Sequence, residues 1–131
     1  MEILLIGATL MIVAALASAW LMTFARWFPV DGIDGGFLKD YKTMIRAHID
    51  FVLMSLFCLA FYALKIPLPV AACWFVVIGG LANPSIFVIA SFDPAFWEKT
   101  IWKVFAAVSF AITTIGFLWV GVTILTHALA A

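Results

Sequence analysis

Three ionisable side chains, Arg46, His48 and Asp50, stand within five residues of one another near the start of an apolar run, YKTMIRAHIDFVLMSLFCLAFYAL, at 41–64. An ionisable group in hydrocarbon costs roughly 2.5–3.5 kcal/mol on insertion scales, so a membrane-length segment that keeps three of them pairs them or uses them. On a helix turning about 100° per residue, Arg46 and Asp50 are four apart and stack on one face, where they are expected to form an ion pair. His48 points roughly 160° away from them. A neutral imidazole on an apolar helix is a common axial ligand, which makes His48 a candidate for haem or metal ligation, and Arg46 suits pairing with carboxylates such as haem propionates. The competing reading is structural: Arg46 and Asp50 neutralise one another near the interface and His48 hydrogen-bonds a neighbouring helix.

The chain holds two histidines. A single His ligand leaves iron five-coordinate with an open position, whereas an electron-transfer site with two axial histidines needs a second ring at matching depth. Counting spans puts His48 near the start of the second helix and His127 near the end of the fourth, on opposite membrane sides, so they cannot share one iron within one chain. No second Cys or His falls at zinc-ligand spacing from His48. Cys58 and Cys73 lie in apolar runs without a CxxC pattern and read as small packing residues. No GxSxG turn and no close pair of carboxylates inside the membrane supports hydrolysis.

The elements that must carry these groups are spanning helices. Of 131 residues, 67% are apolar and 11% charged, with a mean hydropathy of +1.23; a soluble domain of this size could not hide that much apolar surface in one core. The fold class is all-α, a single-domain integral membrane four-helix bundle with spans at about 3–24, 41–64, 70–92 and 101–128. The first run is longer than a signal-peptide core and opens on Glu2 instead of a basic residue, so it reads as a retained helix. Its small residues, Gly7, Ala8, Ala14, Ala15, Ala17, Ser18 and Ala19, favour close helix approach. Arg26, Trp27 and Pro29 mark an interface, and VDGIDGGFLKD is a turn-rich loop.

Lys65 and the Pro-Leu-Pro turn predict a short hairpin between antiparallel second and third helices. Asp93 and Pro94 predict the next turn. Thr113, Thr114 and Thr123 are expected to bond back to their own helix, and Lys103 to snorkel. Six of the seven Lys and Arg residues fall on the side of the first and third loops, which the positive-inside rule places in the cytoplasm with both termini outside. With zero formal charge and no basic block, the chain offers nucleic acid no electrostatic footprint.

The third span, VAACWFVVIGGLANPSIFVIASF, carries Gly79, Gly80 and the Asn83-Pro84 pair, which free backbone carbonyls and predict a kink. Asn83 is either a packing residue bonding its own helix or a neighbour, or part of a pocket wall.

Arg46-Ala47-His48 opening the second helix, with Asn83 in the third followed by Ser91-Phe92-Asp93-Pro94, resembles the small four-helix membrane isomerases that include styrene oxide isomerase; the hydroxylaminobenzene mutases look like relatives of the same type. The resemblance covers the layout of about residues 40 to 125 and a handful of motif positions. It implies a homotrimer with haem b near the subunit contacts, His48 as iron ligand and Arg46 as propionate partner. It also implies redox-neutral Lewis-acid catalysis at ferric haem, in which an epoxide opens to a carbocation and a hydride shift yields an aldehyde. Such a cation needs a dry pocket, for which Phe51 and Phe87 are candidate lining residues, with a lipophilic substrate entering from lipid. Three positions depart from the styrene oxide isomerase pattern: Met54, Gly79 and Phe87 stand where an Asn, an Asp and a Tyr are expected. Asp50 or Asn83 is then the candidate for the catalytic polar role.

These readings point to a haem-dependent isomerase or mutase in the bacterial inner membrane, acting on an epoxide or arylhydroxylamine. A haem-binding module for gas sensing, electron transfer or haem handling is the alternative from another class, and a helper subunit without cofactor is a third.

Overall fold

A computed structural model describes residues 2–27, 41–93 and 95–131, except the side chain of Arg26. The loop predicted at 30–40, Pro94 and the interfacial role of Arg26 lie outside the described residues.

Four helices carry the chain: α1 (Glu2–Trp27), α2 (Tyr41–Ala63), α3 (Val70–Phe92) and α4 (Thr100–Ala130), with a 3-10 turn at Phe96–Glu98 before the last. All four are long and apolar enough to cross a membrane, so the chain is an all-α integral membrane protein. Because these helices are apolar all round, and lipid is as apolar as leucine, hydrophobicity alone does not choose which face packs. Small residues choose. Gly7 lies against Val77, where an added Cβ would approach the valine methyls to 2.6 Å, and Gly80 lies against Met11 and Met54. The resulting core gathers Leu4, Ala8 and Met11 of α1, Phe51 and Cys58 of α2, and Cys73, Val76 and Val77 of α3. Both cysteines are free and buried, as packing residues.

α3 is the central helix, packed on α1, α2 and α4. α4 meets α3 through two glycines: Gly79 sits under Thr113, and Gly116 under the backbone of Phe75 and Val76. It touches α2 through Phe117, whose ring stands edge-on to Phe57 and Phe61 at 5.4 and 5.7 Å. Pro84 stands inside α3, which nevertheless continues as one helix to Phe92; its ring leaves the Gly80 carbonyl without the usual donor.

The turns follow local chemistry. Lys65 adopts a left-handed conformation, φ 55°, and its N–H donates to the Tyr62 carbonyl at 3.2 Å. That conformation costs a residue with a Cβ roughly 1–2 kcal/mol relative to a right-handed one, and glycine is the usual occupant of a helix end of this kind. At the other end of α3, the Asp93 carboxylate accepts from the Ala95 N–H at 3.1 Å and pairs with Lys99 at 2.9 Å, making the turn expected there. Thr113, Thr114 and Thr123 each donate to the carbonyl four residues back.

The glycine contacts give a graded test. At Gly116 a Cβ would lie 2.8 Å from the Val76 nitrogen, whereas at Gly121 it meets nothing within 4 Å. Gly116→Ala is expected to destabilise the bundle by about 1–3 kcal/mol through overpacking, and Gly121→Ala to leave stability unchanged or slightly raised. Thermal unfolding in detergent followed by circular dichroism checks both.

Candidate functional site

His48 sits in the second turn of α2, next to Ala47, which with Met44 packs against Ala25 of α1. These small contacts bring the two helices close enough for the imidazole to reach the α1 backbone. His48 Nδ1 lies 2.8 Å from the Ala15 carbonyl oxygen and 3.0 Å from Ser18 Oγ; the Ser18 hydroxyl donates to the same carbonyl at 2.7 Å. A carbonyl only accepts, so the proton of a neutral ring must reside on Nδ1, and Nε2 carries the free lone pair. This is the arrangement by which proteins orient ligating histidines, since a backbone acceptor on one nitrogen fixes the tautomer and makes the other a better donor to metal.

Nε2 has no hydrogen-bond partner among the described residues, and the ring borders a groove of about 240 Å³ between α1 and α2, walled by Ile12, Leu16, Val52, Ser55 and Leu56. Leu16 and Leu56 are 58% and 56% exposed, so the groove opens sideways toward lipid. Ser55 spends its hydroxyl proton on the Val52 carbonyl.

The other sequence candidates are not brought to this groove. Arg46 and Asp50 do not form the expected ion pair; the one ion pair among the described residues joins Lys99 and Asp93. The exposed Arg46 lies nearer the helix end and its long side chain can extend to the headgroups, while the short Asp50 carboxyl is anchored one turn deeper. Asn83 is buried between α3 and α4, where its side-chain oxygen accepts from the Ser109 hydroxyl of α4, a bond to a neighbouring helix. Phe51 lines a different cleft, of about 370 Å³, together with Ser18, Met44 and Ser85. Phe87 packs on the Ala25, Met44 and Ala47 cluster, with its ring 6.4 Å from Trp97. Of the six candidates, His48 alone lines the groove.

Ser18 is the functional neighbour that sequence reading passed over, because it stands among alanines and reads as one more small residue. Depth is the signal that could have singled it out. Ser18, His48, Asp50, Asn83 and Ser109 each lie seven to nine residues from the helix end on the same membrane side, a layer about 10–14 Å inside the bundle.

The departures from the isomerase pattern also have a structural cause at one position. A Cβ added at Gly79 would lie 2.8 Å from the Thr113 Cα, so an acidic side chain has no room there. No group of three or more His, Cys, Asp or Glu able to hold a metal occurs among the described residues. No family model, curated protein or solved structure matches the chain.

The Asn83–Ser109 bond is testable. Ser109→Ala leaves a buried amide oxygen without its donor and is expected to cost about 1–3 kcal/mol, measured by unfolding in detergent.

Proposed function

We propose that this chain is a haem-binding membrane protein in which His48 ligates haem b through Nε2. Its leading activity in this reading is redox-neutral rearrangement of a small lipophilic epoxide or arylhydroxylamine. One observation carries the proposal: the Ala15 carbonyl and Ser18 occupy Nδ1, so Nε2 keeps its lone pair without a protein partner among the described residues, on a ring that lines an apolar groove. His48 would supply one ligand and the groove an apolar wall. The groove, about 240 Å³, encloses only part of a porphyrin, and in this reading another copy of the chain in a homotrimer in the bacterial inner membrane supplies the second wall.

Bound haem would supply a Lewis-acidic ferric centre with one open position. The chain's own residues would do the rest. Ala15 and Ser18 hold the ring in one tautomer and orientation, and Ile12, Leu16, Val52 and Leu56 keep water from a cationic intermediate while admitting a lipophilic substrate from the bilayer. Arg46 lies on the other face of α2 and would reach a propionate only across a subunit contact.

A haem module for gas sensing, electron transfer or haem handling is the second reading. It is favoured by the placement of Asp50 and Asn83, neither of which lines the groove, so no acid or amide among the described residues lines it.

Protein purified in detergent after haem loading is expected to show a Soret band that His48→Ala abolishes and Ser18→Ala retains. The ferric protein should rearrange an aryl epoxide to the aldehyde without reductant. A Soret band with no turnover supports the second reading, and no haem uptake by the wild type overturns both.

A further inference from the structure

At the membrane end opposite His48, the bundle has a hollow of about 420 Å³ lined by Glu2, Tyr62, Lys65 and Pro67. Its polar groups come from three places: the first turn of α1, the last turn of α2, and the hairpin that follows. Glu2 and Lys65 carry opposite charges and face one space, yet they form no ion pair, and neither they nor the Tyr62 hydroxyl has a hydrogen bond among the described residues. Tyr62 packs its ring against the core, which fixes one wall. Lys65 holds the left-handed conformation that glycine adopts with less strain.

We propose that Glu2, Tyr62 and Lys65 form a headgroup site for a phospholipid that carries a phosphate and a primary ammonium. A carboxylate and an ammonium held apart across one hollow are complementary to a zwitterion whose own charges are separated by a few bonds. Lys65 meets the phosphate, the Tyr62 hydroxyl donates to a phosphate oxygen, and Glu2 accepts from the ammonium N–H groups. A quaternary ammonium has no N–H to give Glu2, and a purely anionic headgroup meets Glu2 as a like charge. The hollow lies at the ends of spanning helices, at the headgroup level, where exposed Trp74 stands one turn inside α3. The partner is therefore a lipid of the surrounding bilayer. The site is independent of the haem reading.

Native mass spectrometry of the full chain tests it, with phosphatidylethanolamine, phosphatidylcholine and phosphatidylglycerol of identical acyl chains supplied in equal amounts. The expected result is at least threefold more adduct with phosphatidylethanolamine than with either competitor. Lys65→Ala should bring that adduct down to the phosphatidylcholine level, and Glu2→Gln should erase the preference over phosphatidylglycerol. His48→Ala should change neither. Equal retention of the three lipids, a preference for phosphatidylcholine, or a preference that survives both substitutions in variants of unchanged helicity overturns the proposal.

Discussion

The contact between the His48 ring and the Ala15 carbonyl, 2.8 Å across two helices, sets how α1 and α2 face each other. In lipid an imidazole N–H without an acceptor carries a penalty of several kcal/mol, while apolar packing is nearly indifferent to helix rotation. The directional contact therefore adds to the small-residue contacts in selecting one rotation of the pair. That rotation places Ile12 and Leu16 of α1 beside Val52 and Leu56 of α2 and so creates the groove. Ser18 reinforces it by bonding the same carbonyl and the same nitrogen.

The same device recurs in the second helix pair. Asn83 of α3 and Ser109 of α4 bond each other in the buried contact, flanked by Gly79, whose missing Cβ lets the backbones approach. Each pair, α1 with α2 and α3 with α4, is thus pinned by one polar contact at a common depth and packed by small residues around it. The α2–α3 seam between them is apolar, with Cys58 and Cys73 in its core. Asp50 belongs to the polar layer by depth but has no hydrogen bond or ion pair among the described residues.

The two ends of the molecule differ in chemistry. One carries Lys42, Arg46, Lys99 and Lys103 and, a few turns inside, the oriented imidazole; the other carries Glu2 and Lys65 across a hollow. The Ala15 carbonyl and Ser18 hold the His48 ring in one tautomer by engaging its Nδ1. Between the two ends, Gly79 seats α4, and Phe87 fills the contact of α1, α2 and α3.

Composition and apolar run length were sufficient to specify four spanning helices, because a segment of some twenty apolar residues has few alternatives in a membrane. The Pro-bounded hairpin, the Asp93 turn and the threonine back-bonds were equally legible, each being local. His48 could be singled out because an imidazole among apolar residues is conspicuous in one dimension. What the order of residues left open was which polar groups meet. Arg46 and Asp50 share a helix face by spacing yet do not pair, because side-chain length and depth, not register, govern contact near an interface. Asn83 finds Ser109, and His48 finds Ala15 and Ser18, through the rotation of helices that are apolar on every side. No periodicity in the sequence encodes that rotation; it emerges only when small residues and a few hydrogen bonds are satisfied together in three dimensions.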